Sequence, residues 1–238
     1  MLILALDTSG KSLSVALTRD GELLGEATLN IGLRHSVTAL PLIHDLCVRC
    51  EIDYQAIDAY ACAIGPGSYT GIRIGISTIK GMAYAAGRPA VGISSLEALA
   101  AGLGPVTGAI ILPLLDARGG RLFSCACQDG ELILPEANRQ QAELATILKQ
   151  KLLAAAPEHR KLILLGDGAI TFADLAFWPG ALQVEDAGST FRWPRASVIA
   201  RLAAERLQTG GNFSPFELTA NYVSLSQAER LRRKNESV

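Results

Sequence analysis

The stretch "ALDTSGKSL", residues 5–13, is similar to a later stretch of the chain, "LLDARGGRL", residues 114–122. The tetrapeptide "DGEL" follows both copies, at residues 20–23 and 129–132, with the same offset of 109 residues and no gap. Solenoid repeats recur every 20 to 50 residues or so, and a single recurrence at this longer period indicates duplication of one supersecondary unit. The chain is therefore predicted to form two similar lobes.

The first copy begins a three-stranded meander. The strands "LILALD", "SLSVALT" and "ELLGEATL" are separated by the turn "TSGK" and by an Asp-Gly turn, which is a strong hairpin signal. A helix is predicted from Ser36 to about Cys50, a strand near 57–64, a helix near 71–86, the strand "AVGI", and a helix opened by the capping box Ser94 to Glu97.

The second copy is followed by a similar order of elements. Helical patterns at 140–155 and 195–207 alternate with the strand "KLILLGD", a short helix near Ala169 and a strand near 181–185. Such alternation predicts an α/β fold with mixed sheets flanked by helices. The Gly-rich segment 102–105 is the predicted boundary between an N-terminal lobe, 1–104, and a C-terminal lobe, 105–238.

Composition excludes several classes of protein. Hydrophobic residues make up 49% of the 238 residues and charged residues 19%, which excludes a disordered chain. A net charge of −1 provides no overall attraction to nucleic acid. The apolar run at 2–6 is too short for a signal peptide and no stretch is long enough to span a membrane, so a cytoplasmic location is expected.

The glycine-rich loop "IGPGSYTGIRIG", residues 64–75, has neither the dinucleotide spacing nor the Walker spacing. Pro66 also lacks the N–H group that a phosphate loop would use. We expect a tight turn into a helix capped by Ser68 or Thr70. Small residues make this helix thin, and its close neighbour is either the sheet of its own lobe or a partner helix.

The cysteines and histidines do not have the spacing of a metal site. Cys47 and Cys50 fall in a helical pattern, and Cys125 and Cys127 fall in a strand, so reduced cysteines are expected. His35, His44 and His159 do not form an i, i+4 pair. The basic run 229–234 is read as a solvated C-terminus, with contact to RNA phosphates as the alternative.

Two duplicated lobes that each open on a hairpin with an Asp and a Gly resemble the actin, sugar kinase and Hsp70 ATPase superfamily (the ASKHA group, with RNase H-like sheets). In that superfamily the two turns grip ATP phosphates and magnesium. The resemblance implies a degenerate ATP or ADP site at Asp7, Gly10, Asp116, Gly119 and Gly120. The sequence departs from it at Asp167, which places a carboxylate where the superfamily has a glycine-rich turn.

The motifs "ILALDTSGKSLSVAL", His35-Ser36, "GPGSYTGIRIG", "KGMAYA", "GISSLEALA" and "LLDAR" together resemble the bacterial TsaB family, also called YeaZ. The resemblance implies a partner protein in making threonylcarbamoyladenosine on transfer RNA, working with the catalytic paralogue TsaD and the ATPase TsaE. The two metal-binding histidines of TsaD have no counterpart here. A non-catalytic scaffold without a metal is therefore predicted, and it reaches transfer RNA mainly through the complex.

In the family that the sequence resembles, the first two helices form a bundle with the equivalent helices of the partner. The same surface is expected to form a homodimer when the chain is alone. On this reading Gly75→Arg or Ile43→Glu would abolish pairing and leave the fold intact. The predicted interface residues are His35, Leu40, Ile43, Cys47, Gly71, Ile74, Gly75, Thr78 and Met82.

Two enzyme hypotheses remain open at this point. The first is an ATP-dependent phosphotransferase, in which Asp7 and Asp116 organise magnesium and the turn glycines approach phosphate. The second is a peptidase, a name attached to relatives of this fold. The absence of paired histidines argues against a metallopeptidase.

Overall fold

The computed structural model describes residues 1–30, 32, 34–154, 161–175 and 183–223. The strands are β1 Leu2–Asp7, β2 Leu13–Arg19, β3 Glu22–Leu29, β4 Ala59–Gly65, β5 Ala90–Ser94, β6 Ala109–Asp116, β7 Arg121–Gln128, β8 Glu131–Gln140, β9 Lys161–Leu165 and β10 Gln183–Asp186. The α-helices are α1 His35–Arg49, α2 Tyr69–Ala86, α3 Ser95–Leu103, α4 Gln141–Ala154, α5 Ala169–Leu175 and α6 Ala196–Thr209. His159 and the basic run 229–234 lie outside the described residues.

The strands form two five-stranded sheets of identical topology. The first has the order β3-β2-β1-β4-β5 and the second has the order β8-β7-β6-β9-β10. In each sheet the first three strands are antiparallel, and the two that follow run parallel to the central strand. The duplication predicted from the 109-residue offset is confirmed, because the two copies of the motif lie at the same place in equivalent sheets.

Helices cover both faces of the first sheet. One face packs against α1 and α2 through a core that includes Leu4, Ile43 and Ile79. The opposite face is covered by α6, which contributes Ile199 and Ala203 to a second core. Although α6 comes late in the chain, it returns to the first sheet. The lobe boundary at 104/105 falls between β5 and β6 and stays a prediction.

The second sheet is covered by α4 and α5 on one face and by α3 on the other. Leu144 of α4 and Phe172 of α5 belong to the core on the first of these faces. On the other face, Leu96 and Leu99 of α3 pack against Leu115. The cap of α3 is as expected, since the Ser94 hydroxyl accepts hydrogen bonds from the N–H groups of Leu96 and Glu97. The Glu97 carboxylate pairs with Arg206 of α6 and does not reach back to its own helix.

A buried carboxylate holds the start of α6 against the first sheet. Glu26 of β3 accepts hydrogen bonds from the Ser197 N–H at 3.0 Å and the Ser197 hydroxyl at 2.8 Å, and it also pairs with Arg195. The Ala196 N–H donates to the Ser14 hydroxyl of β2 at 3.1 Å. A carboxylate at a helix N-terminus satisfies unpaired N–H groups and is favoured by the helix dipole.

Two glycines of α2 are in opposite environments and give a matched test of the packing. A Cβ at Gly71 would overlap the carbonyl oxygen of Thr8, whereas a Cβ at Gly81 would meet nothing within 4 Å. Urea denaturation should show that Gly71→Ala lowers the free energy of unfolding by roughly 1–3 kcal/mol, as for other overpacked sites. Gly81→Ala should raise it by roughly 0.5–1 kcal/mol. Equal effects of the two substitutions would contradict the close approach of α2 to the first turn.

Candidate functional site

The turn after β1 is buried. Asp7 is fully buried, and its Oδ1 atom accepts a hydrogen bond from the Ser9 N–H at 3.0 Å. Within the described part of the chain, its Oδ2 atom and the hydroxyls of Ser9 and Ser12 have no partner. Burial raises the pKa of Asp7 from 3.8 to about 6, and the hydrogen bond from the Ser9 N–H and the nearby His35 oppose this shift. The carboxylate is therefore held in an environment that disfavours its charge.

Neighbouring segments close this turn on two sides. The Ser9 carbonyl accepts a hydrogen bond from the Ser68 N–H at 2.7 Å, and the Thr8 hydroxyl donates to the Gly71 carbonyl at 2.7 Å. The Trp193 ring lies so close to Gly10 that a Cβ at Gly10 would overlap it. The backbone of the turn is thus covered by the start of α2 on one side and by Trp193 on the other.

The equivalent turn after β6 is open. Asp116 is exposed, and its Oδ1 atom accepts from the Arg118 N–H at 2.8 Å. Gly119 and Gly120 have φ angles of +62° and +71°, and a Cβ at either position would meet nothing within 4 Å. The repeated sequence therefore forms two turns with different conformations and different surroundings.

A second carboxylate lies beside the open turn. Asp167, which follows β9, accepts a hydrogen bond from the Asp116 N–H at 3.0 Å. Burial and the nearby Asp116 charge raise the pKa of Asp167, while the Asp116 N–H and Lys11 lower it. Two carboxyl groups therefore lie side by side at the position where the resemblance to ATPases implies phosphate and magnesium binding.

The residues predicted to hold a nucleotide do not fit one in this arrangement. Gly10 is covered by Trp193, and Asp7 is enclosed. The open turn at Gly119 and Gly120 has Asp116 and Asp167 beside it. Trp193 and the loop before α2 cover the backbone of the first turn.

The outer surface of α1 and α2 is partly apolar. On α1, Val37, Leu40 and Val48 are 67%, 56% and 60% exposed. Beside them, an open groove of about 480 Å³ is lined by Ser36, Tyr69, Thr70, Arg73, Ile74, Ser77 and Thr78. Exposed apolar side chains in a group are typical of a surface that binds another macromolecule. We call this the helix-pair surface.

Five of the predicted interface residues are buried within their own lobe. Ile43 and Cys47 are buried in the core of their own lobe, and Gly71 and Gly75 are buried where α2 meets Thr8. His35 is buried as well, and its Nε2 atom donates to the Gly10 carbonyl at 2.9 Å. These five residues position the helices and do not face outward. Substitution of Ile43 or Gly75 is therefore expected to disrupt the fold and cannot test pairing alone.

The other four predicted residues remain candidates for the interface, and further exposed residues of α1 and α2 are added to them. Leu40 is exposed, whereas Ile74, Thr78 and Met82 are half-buried. The predicted list omits Val37, Val48 and Tyr84, which are more than half exposed. Val37, Leu40 and Val48 recur at helical spacing, and this second stripe of α1 is the signal that identifies Val37 and Val48.

The five cysteines are free thiols. Burial raises the pKa of Cys47 to about 11 and raises that of Cys62. Cys125 is buried and Cys127 is half-buried, and both belong to β7. Across the described residues, no three His, Cys, Asp or Glu side chains come together in a group that could hold a metal ion.

None of the helices in the described residues combines the length and the apolar character needed to cross a bilayer.

Two equivalent lobes, each with a hairpin turn aimed at the junction between them, define a duplicated actin-like ATPase fold. The profile of the family described as "TsaD: tRNA N6-adenosine threonylcarbamoyltransferase" matches residues 30–180. Of solved structures, "YeaZ from Pseudomonas aeruginosa" superimposes with a TM-score of 0.73 and 26% identity, covering 93% of this chain and 99% of that one.

Two curated relatives carry the same name, "tRNA threonylcarbamoyladenosine biosynthesis protein TsaB". The protein of Bacillus subtilis is 37% identical over 155 residues, which are 63% of this chain and 67% of the relative. The protein of Escherichia coli is 36% identical over 132 residues, which are 55% of this chain and 57% of the relative. The chain belongs to the TsaB family, also called YeaZ.

The buried carboxyl of Asp7 predicts a specific pH dependence. Because its pKa is about 6 in the folded protein and 3.8 ordinarily, its contribution to stability is fully present below pH 3.8 and is lost as the pH rises to 6. At 1.36 kcal/mol per unit, the loss is about 3 kcal/mol. Asp7→Asn should therefore gain stability relative to the unsubstituted protein as the pH rises from 4 to 8, measured by urea denaturation.

The control is Leu23→Asn, an exposed position of β3 at which the substitution removes no titratable group. It should leave the pH dependence of stability unchanged. Parallel stability curves for Asp7→Asn and the unsubstituted protein would show that the Asp7 carboxyl is not perturbed by burial.

Proposed function

We propose that this chain is a non-catalytic scaffold subunit of the machinery that makes threonylcarbamoyladenosine on transfer RNA. The names of its TsaB relatives support the pathway. The observation that carries the non-catalytic part is the closed first turn, in which Trp193 covers Gly10. A phosphotransferase of this fold would need that turn open to phosphate.

The scaffold role is supported by the helix-pair surface. Leu40, Val37 and Val48 would transfer apolar area from water into an interface, and such burial contributes about 25 cal/mol per Å². In α2, the exposed Ser77 and Gly81 have little or no side chain, so a partner helix can approach the backbone closely. The surface therefore suits a partner that presents helices.

The proposed partner at this surface is the catalytic paralogue TsaD, with the ATPase TsaE as a further component. The match of the TsaD profile to residues 30–180 supports an equivalent pair of helices in that partner. Paralogues with the same helices give a pseudo-symmetric contact, and the same surface forms a homodimer when the chain is alone. The chain acts on transfer RNA mainly through the complex, and the complex is cytoplasmic.

Leu40→Glu tests the helix-pair surface without disturbing the core, because Leu40 is 56% exposed. A charge buried in the contact should weaken pairing with TsaD by about 2 kcal/mol or more, which is roughly a thirtyfold rise in Kd. Calorimetric titration of TsaD with the variant measures this change. Leu23→Glu is the matched control, since Leu23 of β3 is 49% exposed on another part of the first lobe. If both variants pair equally well, the contact lies elsewhere.

The function itself is tested by reconstitution. Threonylcarbamoyl transfer to transfer RNA is measured with purified TsaD, TsaE and the synthase that supplies the activated intermediate, with and without this chain. We expect activity to require the chain and to survive Asp7→Asn combined with Asp116→Asn, because neither carboxylate has a catalytic role in the proposal. The circular dichroism spectrum of the double variant confirms that it folds.

Two results would overturn the proposal. Full activity in the absence of the chain would show that the reconstituted reaction does not require it. Lost activity in a double variant that still folds and still pairs with TsaD would show a working nucleotide or metal site, as the phosphotransferase alternative requires.

A further inference from the structure

The outward side of α2 carries positive charge and no carboxylate. Its exposed and half-buried positions at helical spacing are Tyr69, Arg73, Ser77, Lys80 and Tyr84. Arg73 is exposed and lines the groove of the helix-pair surface, in which no lining residue is acidic. Neither Arg73 nor Lys80 forms an ion pair with a described residue. The charge of Arg73 is therefore available to another molecule.

The guanidinium of Arg73 is held in position by two tyrosines. Its Nη1 atom donates a hydrogen bond to the Tyr69 hydroxyl at 2.7 Å, and its Cζ atom lies 5.2 Å from the centre of the Tyr69 ring. Tyr69 stacks in turn on Tyr222, with 5.5 Å between the ring centres. An arginine has five N–H donors, and the bond to Tyr69 uses one of them. Because the side chain is already ordered, less conformational entropy is lost when an anionic group binds to it.

The groove beside Arg73 suits a carboxylate. The planar guanidinium offers paired N–H groups that match the two oxygens of a carboxylate. The hydroxyls of Ser36, Thr70, Ser77 and Thr78 line the same groove and can donate further hydrogen bonds. An Asp or Glu side chain on a facing helix is therefore the chemical complement of this position.

A second copy of this chain complements Arg73 poorly. In an isologous contact the same patch lies on both sides, so the cations of one α2 would meet those of the other. The carboxylate of α1, Asp45, is already paired with Arg49 at 2.8 Å between Oδ2 and Nε. Of the next two acidic residues, Glu51 lies beyond the last residue of α1, and Asp53 caps a short turn. Like charges that meet in an interface disfavour pairing.

We propose that Arg73 is a specificity-determining residue of the helix-pair surface and receives a carboxylate from the helices of the partner. The surface thus prefers an acidic heterologous partner to a second copy of this chain. This inference rests on the function proposed above, because it names the charge that the paired subunit carries. Val37, Leu40 and Val48 offer apolar area to either partner, and Arg73 distinguishes between the two.

The first test compares Arg73→Gln with Arg201→Gln in calorimetric titrations against TsaD. Arg201 is exposed on α6, which covers the opposite face of the first sheet, so this control removes the same charge elsewhere. Arg73→Gln should raise Kd by about tenfold or more, as for other truncated interfacial charge pairs. Arg73→Lys keeps the charge and should recover part of this loss. Arg201→Gln should leave Kd within about twofold of the unsubstituted value, since a surface change far from a contact has little effect.

The second test measures self-association, which does not involve TsaD. Sedimentation equilibrium gives the dissociation constant of the homodimer. Arg73→Gln should leave self-association unchanged or tighten it, because the substitution removes a like charge from the contact. Added salt screens such charges, so it should weaken pairing with TsaD without weakening the homodimer. Circular dichroism confirms that each variant folds.

Three results would overturn the inference. Arg73→Gln that pairs with TsaD as tightly as the unsubstituted chain would show that no carboxylate meets Arg73. A homodimer weakened by Arg73→Gln as much as the pairing with TsaD would show that Arg73 does not discriminate between partners. The third is RNA binding at the Tyr69 and Tyr222 stack: Arg73→Gln would then lower the retention of transfer RNA by the chain alone in filter binding and leave TsaD pairing unchanged.

Failure of the proposed function gives a different result. If TsaD does not bind the unsubstituted chain at all, the proposed scaffold role is wrong. Self-association then decides the inference by itself. A homodimer that Arg73→Gln tightens, while Arg201→Gln leaves it unchanged, supports repulsion between two copies at this surface. A homodimer that Arg73→Gln weakens contradicts it.

Discussion

The direct contact between the first hairpin turn and the start of α2 positions the rest of the first lobe. At this contact Ser68 donates to the Ser9 carbonyl, and Thr8 donates to the Gly71 carbonyl. The backbones can approach so closely because Gly67 and Gly71 have no Cβ atoms. This approach fixes α2 on the sheet, and together with Trp193 it encloses the first turn. The glycine-rich loop therefore serves packing, and the exposed side of α2 follows from the way the buried side is held.

The duplicated architecture could be predicted from sequence because the repeated motif places a hairpin at the start of each of two units. Each hairpin is followed by the same order of strands and helices. The outward face of α1 was harder to assign. The helix has one apolar stripe with Ile43 and Cys47 and another with Val37 and Leu40, and periodicity alone does not say which stripe meets the sheet. The covering of Gly10 by Trp193 joins segments far apart in sequence, so no local pattern could reveal it.

The two copies of the motif show how one sequence element acquires different properties from its surroundings. Asp7 is enclosed by its own lobe and its pKa is raised by burial, whereas Asp116 is in contact with solvent. Gly10 is covered, whereas Gly119 and Gly120 are open. The two turns therefore differ in accessibility although the sheets that carry them are equivalent.

The return of α6 to the first sheet has a consequence for the synthesis of the protein. The face of that sheet with Ile3 and Ile93 is covered by Ile199 and Ala203, which follow the entire second sheet in the chain. During translation this face stays uncovered until residues 196–209 have left the ribosome, because domains fold only when their segments are available. A nascent chain that stops after β10 would expose an apolar sheet face, and such intermediates are substrates for chaperones.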